Sequence, residues 1–154
     1  MRSLPKQAEI ICQKVNAPPR LVAHLTLVHD VAVSLIEEIK QFLPQLSLDE
    51  QSIFFGAATH DIGKSLHRAE LSETGNAHEA EGEKLLINLG VEKHLARFAR
   101  THAAWKSGED LTLEDLFVSL ADNCWKGKRI SSFPSPYPWT YSRILSQPLA
   151  KPTE

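Results

Sequence analysis

Apolar residues recur at steps of three and four along most of the chain, which is the spacing of helices that bury one face. Strand-like alternation of apolar and polar residues does not extend over any useful length. The clearest stripe begins at Leu21, and Pro44 should end its helix because proline cannot continue one. The pattern therefore predicts an all-α fold. The stripe consists of Leu21, Leu25, Val28, Ala32, Leu35 and Ile39.

A second helix is predicted shortly after Pro44. Ser47 and Glu50 have the spacing of a capping box, which marks the start of a helix. The apolar segment that follows leads to Gly63, a residue type that commonly ends helices. The dipeptide His60–Asp61 would then lie in the last turn of this helix.

Three more helices are predicted after the polar segment HRAELSETGN. Asn76 should begin the helix AHEAEGEKLLINL, which ends at Gly90 and carries His78 in its first turn. The segment VEKHLARFARTHAAW forms the next helix. Thr112 with Asp115 offers an N-terminal cap for the last one, LEDLFVSLADNCW.

The length of 154 residues suits one domain with a substantial core. We expect a single helical bundle over residues 1–130 and a different segment over residues 131–154. This tail holds five of the nine prolines together with several aromatic residues, so it should be extended or irregular. It could close over a site or cover the interface of a homodimer, and the sequence does not choose between these.

Charge and cysteine content narrow the classes of protein. The chain carries 17 basic and 19 acidic side chains. This balance of charge disfavours electrostatic binding of nucleic acid or of an anionic membrane over a broad surface. A recognition helix would need a basic face, for which one helix offers only Lys93, Arg97 and Arg100. Cys12 and Cys124 do not have the spacing of a zinc site. With no leader pattern and no apolar run near the roughly 20 residues of a membrane span, a soluble cytoplasmic protein is expected.

The dipeptide His-Asp occurs twice, as His29–Asp30 and as His60–Asp61. Successive side chains on a helix point about 100° apart, so their directions can be compared with the apolar stripe. Asp30 lies nearly opposite the stripe and His29 roughly 85° from its centre, which favours a solvated face for the first pair. His24 lies roughly 55° from the centre and is the better inward candidate. Small residues before the second pair leave room for a ligand.

Together with the second pair, further residues on predicted helices could act as metal ligands: His24, His78, His102 and Asp122. Imidazole and carboxylate ligands without thiolates suit Mn, Fe, Co, Ni or Zn, and they argue against a structural zinc finger. A catalytic metal is the interpretation that follows. Taken singly, each histidine is more often a packed or exposed side chain than a ligand. Asp122 lies near an apolar stripe, where a carboxylate needs a cation or hydrogen-bond donors.

Five segments in order resemble the motifs of the HD-domain superfamily of metal-dependent phosphohydrolases. AATHDIGK is close to the signature motif of its HDIG subgroup. HLTLVHDVA resembles the first motif and selects His24, AHEAEGEKLL resembles the helix start that carries His78, and FARTHAAW resembles the helix end that carries His102. LADNCWKGKR is similar to the final motif with Asp122. The resemblance covers about residues 20–130.

The resemblance implies a helical bundle that holds one or two divalent ions. Such a metal would lower the pKa of a bound water, so that hydroxide attacks phosphorus without a covalent nucleophile. Asp61 would bridge the two ions and is accordingly predicted to be catalytic. By the resemblance, one metal would be held by His24, His60, Asp61 and Asp122, and a second by His78 and His102 together with Asp61.

Basic side chains near these ligands are candidates for phosphate binding. Lys64 lies one helical turn from His60, is positioned to meet a phosphate, and is the second predicted catalytic residue. Lys126, Lys128 and Arg129 form a cluster just beyond the last motif. This cluster could contact phosphate or could be a solvated helix C-terminus that the helix dipole favours, and both readings stay open.

The short, stand-alone chain resembles members of the superfamily that hydrolyse nucleotides, and dinucleoside polyphosphates are one such substrate class. It lacks the GYP extension of the cyclic-dinucleotide phosphodiesterases, which disfavours their substrates. We therefore expect a phosphohydrolase that cleaves a phosphoester or phosphoanhydride bond of a nucleotide or a similar small phosphorylated metabolite. The alternative is an inactive regulatory module of the same fold that binds metal or nucleotide. All six ligand positions are filled, which speaks against that alternative.

Overall fold

The structure is a computed structural model that describes residues 1–104 and 109–125. These residues form helices and turns without any strand, which confirms the predicted all-α fold. The predicted tail over residues 131–154 and the domain end at residue 130 lie outside the described ranges. In chain order the helices are α1 (Lys6–Lys14), α2 (Pro19–Phe42), α3 (Glu50–Thr59), α4 (Ala77–Asn88), α5 (Lys93–Ala96), α6 (Phe98–Thr101) and α7 (Leu113–Cys124), with 3₁₀ turns at Ile62–Ser65 and Arg68–Leu71.

Helix α2, the longest helix in the described residues, packs along α3 and α7. Its buried side chains follow the predicted stripe as far as Ala32 and then include Ile36, which is 1 % exposed, instead of Leu35, which is half-buried. At about 100° per residue, Ile36 points roughly 40° away from Ala32 and Leu35 roughly 60° away on the other side. The step of four residues therefore keeps the side chain nearer to the core.

Helix α2 is also long and apolar enough to cross a membrane, because it has 24 residues and a mean hydropathy of 1.3 over its most apolar window. This is weak evidence for a membrane span, since the core helix of a globular bundle meets the same criteria. Here Leu21, Leu25 and Val28 are each 0 % exposed within the bundle. The apolar face of α2 is thus already used by the fold.

Helix α3 differs from its prediction at both ends. Its N-cap is Asp49, whose carboxylate accepts a hydrogen bond from the N–H of Ser52, so the predicted cap at Ser47 is wrong. The Asp49 carboxylate reaches the third N–H of the helix directly, as a capping side chain must. The helix ends at Thr59, and Gly63 lies in the 3₁₀ turn that follows. The end of α3 therefore falls directly before the second His-Asp pair.

Helices α5 and α6 replace the single helix predicted for this region, and they join at Arg97. Helix α1 was not predicted, because only Ala8, Ile11 and Cys12 are buried along its short length and they do not form a long stripe. The capping box of Thr112 with Asp115 is confirmed at the start of α7.

Candidate metal centre

The pair His60–Asp61 lies where α3 gives way to the first 3₁₀ turn. His60 is the C-cap of α3 and keeps helical backbone angles, whereas Asp61 leaves them with φ −100° and ψ 10°. Because the backbone changes direction here, both side chains reach the same buried place. They are 0 % and 3 % exposed, and Nε2 of His60 lies 3.7 Å from Oδ2 of Asp61.

Helices α2 and α7 bring two more predicted ligands to this pair. Nε2 of His24 lies 3.1 Å from Oδ2 of Asp61 and 3.2 Å from Nε2 of His60. Oδ1 of Asp122 lies 3.5 Å from the His24 nitrogen and 3.4 Å from the His60 nitrogen. We call His24, His60 and Asp61 the first triad, and Asp122 borders it.

The other oxygen of Asp61 faces the two remaining histidines. Oδ1 lies 3.1 Å from Nε2 of His78, at the start of α4, and 3.5 Å from Nε2 of His102, just after α6. We call Asp61, His78 and His102 the second triad; within each triad, one donor atom from every residue lies within 4.8 Å of the others. The structure thus brings all six predicted ligands together, with Asp61 common to both triads.

Two glycines allow α4 to approach the His-Asp turn closely enough for this arrangement. A Cβ on Gly63 would lie 2.0 Å from the backbone oxygen of His78, and a Cβ on Gly82 would lie 3.1 Å from the nitrogen of Gly63. Only glycine removes the first clash, because the obstructing atom is main chain. The glycine of the HDIG segment therefore serves the contact that places His78 beside Asp61.

Two of the imidazoles are oriented by the main chain. Nδ1 of His60 donates to the carbonyl of Ala57 at 2.9 Å, and Nδ1 of His102 donates to the carbonyl of Ala99 at 3.0 Å. A proton held on Nδ1 leaves the lone pair of Nε2 for the centre of the site. This is the tautomer that an Nε2 ligand requires.

The pKa values of Asp61, His24 and His102 are shifted toward the forms that suit metal binding. Burial raises the pKa of Asp61, yet His60, His24 and His78 together lower it more, so the pKa falls well below the ordinary value. Burial lowers the pKa of His24 and brings that of His102 to about 4. Burial also acts to lower the pKa of His60 and His78, but nearby carboxylates together outweigh it, Asp61 with Asp122 at His60 and Asp61 with Glu70 at His78, so both pKa values rise. An ionised carboxylate and neutral imidazoles are the forms that ligate metals.

The donor atoms fit a divalent ion. Among the described residues, Oδ1 of Asp61 and Nε2 of His78 are buried and have no hydrogen-bond partner, although they lie only 3.1 Å apart. Buried polar atoms without a partner are rare, and a bound cation would account for both. It would also account for the close approach of two ring nitrogens, from His24 and His60. Nitrogen and oxygen donors suit several divalent transition metals and do not select one of them.

An open cavity of about 220 Å³ lies beside the second triad. It has room for several water molecules of about 30 Å³ each, and so for a phosphoryl group. Lys64 lines this cavity, and its Nζ lies 2.6 Å from Oδ2 of Asp61. Glu79 and Asn123 line it as well and were not selected from the sequence, because a polar residue next to a ligand has no distinctive spacing. The predicted phosphate contacts Lys126, Lys128 and Arg129 lie outside the described residues.

Two residues that contact the ligands were also missed. Nε1 of Trp125 donates to Oδ1 of Asp122 at 3.3 Å, and its ring lies 5.0 Å from that of His24. Glu70 accepts a hydrogen bond from Nδ1 of His78 at 2.5 Å. Trp125 directly follows α7, and this position is a usable signal in the sequence. Glu70 belongs to a segment predicted as a polar loop, where a single glutamate has no periodic signal.

A family model described as HD domain matches residues 21–125, a range that includes both triads and Asp122. No curated protein and no solved structure gives a match to the chain. The match spans more than half of the 154 residues and coincides with the region in which the five motifs occur. The chain therefore belongs to the HD-domain family, within a superfamily made up mostly of metal-dependent phosphohydrolases.

Proposed function

We propose that the protein is a metal-dependent phosphohydrolase that cleaves a phosphoester or phosphoanhydride bond of a nucleotide or a similar small phosphorylated metabolite. The observation that carries this proposal is the sharing of Asp61 between two triads, with Lys64 and an open cavity directly beside them. Two cation sites a few ångströms apart, next to the Lys64 ammonium that pairs with Asp61, are suited to binding a phosphoryl group.

In this proposal the six ligands keep their predicted roles. His24, His60 and Asp122 would hold one ion, His78 and His102 would hold a second, and Asp61 would contribute to both sites. The ion would be Fe, Mn, Co, Ni or Zn, since these metals accept imidazole and carboxylate donors. A bound metal would make water nucleophilic near neutral pH and would offset charge on the phosphoryl oxygens.

The chain itself supplies binding and orientation. Lys64 pairs with Asp61 at 2.6 Å and lies on the cavity wall, so an entering phosphate could take over part of this ion pair. Asn123 presents an amide at the same wall, although its Nδ2 already donates to the carbonyl of Ser119. No side chain is required to act as a covalent nucleophile.

Metal content and turnover, measured on one preparation, test the proposal. Wild-type protein purified without chelator should contain bound transition metal and should hydrolyse a chromogenic phosphate ester, with nucleoside phosphates screened next. Asp61→Ala should lose metal and activity together, because it removes the residue common to both triads. Asp30→Ala, which alters the other His-Asp pair, is the matched control and should keep both.

The outcomes separate the candidate functions. Bound metal without hydrolysis of any phosphate ester would support the regulatory module and reject the enzyme. Absence of metal, or metal retained in Asp61→Ala, would reject both.

A further inference from the structure

His78 differs from the other histidines of the site in its position on its helix. His60 and His102 each donate Nδ1–H to the main-chain carbonyl three residues earlier, which a helix supplies. His78 is the second residue of α4, so the residue three positions earlier lies outside the helix. Its Nδ1 must therefore find a partner from elsewhere in the fold.

Glu70 is that partner. Its Oε2 lies 2.5 Å from Nδ1 of His78 and accepts the N–H of the same residue at 3.2 Å, while Oε1 accepts the N–H of Ala77 at 3.1 Å. The same carboxylate thus caps α4 and fixes the imidazole. The predicted cap, Asn76, lies at the N-cap position but makes no side-chain hydrogen bond to the helix.

The fold makes room for this carboxylate. A Cβ on Gly75 would lie 2.5 Å from Oε1 of Glu70 and 2.6 Å from its Cδ. The side chain of Glu70 is only 13 % exposed, and that of His78 is 6 % exposed. The hydrogen bond is therefore shielded from water, which makes a contact between a carboxylate and an imidazole stronger than one at the surface.

We propose that Glu70 is a positioning residue for the second triad: it holds the proton of His78 on Nδ1, keeps Nε2 directed at Asp61 and thereby controls occupancy of the second metal site. This inference rests on the proposed metal-binding function. It extends that function because the affinity of the second site for its ion would depend on Glu70, whereas the affinity of the first would not. The first triad is oriented without Glu70, whereas the second loses its support when Glu70 changes.

Carboxylate partners of ligating histidines typically contribute about 10- to 100-fold in metal affinity. In this protein the loss of metal affinity should affect only the second metal site. Helix capping alone predicts a different result, since a lost cap weakens the fold but does not distinguish between the two ions.

Titration of metal-free protein with Co²⁺, followed by calorimetry and by the visible absorption of the bound ion, tests the inference. Wild-type protein should bind two ions per chain. Glu70→Ala should bind the first ion as wild type does and the second about 10- to 100-fold more weakly. Glu70→Gln, which keeps an oxygen that can accept the Nδ1 proton, should recover part of this loss. Glu73→Gln removes the same charge from an exposed position nearby and should match wild type.

Unfolding of each metal-free variant in urea is the parallel measurement. If Glu70→Ala is less stable than wild type yet binds both ions with unchanged affinity, Glu70 is only a cap and the inference is overturned. Equal weakening of both ions would overturn it as well. Wild-type protein that binds no Co²⁺ would overturn the proposed function itself, which is a distinguishable result.

Discussion

The two His-Asp pairs have the same sequence and opposite surroundings. His29 is buried against Phe54, with ring centroids 6.1 Å apart, while Asp30 points outward and pairs with Arg2 at 3.0 Å. His60 and Asp61 instead point into one site, with donor atoms 3.7 Å apart. The first pair lies in the middle of α2, and the second follows the last residue of α3.

Helix geometry explains the difference. Within a helix, adjacent side chains diverge by about 100°, so neighbouring residues cannot reach the same ligand. At a helix end the backbone is free to turn, and Asp61 uses that freedom. In this chain the two side chains of the dipeptide converge where α3 ends, and they diverge within α2. The expectation that His29 would lie on a solvated face was wrong, since it is 6 % exposed.

Replacing the histidine of each pair with leucine should give the largest difference in activity between two variants. His60→Leu should lower kcat/KM by at least about 1,000-fold, or ~4 kcal/mol of barrier, because it removes a ligand of the first triad. His29→Leu should stay within about 2-fold of wild type, since surface and core changes away from a site rarely alter turnover. Phosphate-ester hydrolysis and metal content measure both. Comparable losses in the two variants would show that the pairs are not functionally distinct.

The residue three positions after each aspartate sharpens the comparison. Lys64 occupies this position in the second pair and Val33 in the first. Lys64→Met should reduce kcat/KM by about 100-fold, the typical cost of losing one charge-stabilising donor, while metal content stays unchanged. Lys84→Met, at an exposed position on α4, serves as the control. Retained activity in Lys64→Met would show that Lys64 does not contribute to phosphate binding.

The burial of His29 should make the stability of the protein depend on pH. Burial lowers the pKa of His29 below 6.5, so its contribution to stability is fully present above pH 6.5 and is lost as pH falls through the pKa of the folded state. Metal-free His29→Leu should therefore lose less unfolding free energy than wild type between pH 7.5 and pH 5. Its Nδ1 has no hydrogen-bond partner among the described residues, so the variant should also be more stable by about 1 kcal/mol at pH 7.5. Urea unfolding measures both, and parallel pH profiles would contradict the expectation.

The ion pair of Asp30, which points outward, should have the smallest effect on stability and activity. Arg2→Ala removes the ion pairs to Asp30 and Glu37, in which the Arg2 side chain is 42 % exposed. Exposed pairs contribute about 0.2–1 kcal/mol, so the free energy of unfolding should fall by less than about 1 kcal/mol with no change in hydrolysis. A loss of bound metal in this variant would show that the first pair is linked to the site.

Several features of the fold were predictable because they depend on local periodicity. The stripe of α2, the capping box of Thr112 and the helical start before His78 all follow from residues within one or two turns. The inward direction of His24 also follows from its angle on a helix, and its side chain is 16 % exposed. Boundaries were less predictable, as at Ser47, because several polar residues near a helix start can compete to cap it.

The sequence by itself determined the helical class, the six candidate ligands and the family whose motifs they resemble, because residue type and spacing carry that information. Only the tertiary structure decided how closely the donor atoms approach one another around Asp61 and that Glu70 supports His78. These depend on the close approach of α2, α4, α6 and α7 around the end of α3, allowed at one point by the missing side chain of Gly63. Contacts between residues far apart in sequence do not produce a periodic pattern along the chain. They can therefore be identified only from the packing of the helices.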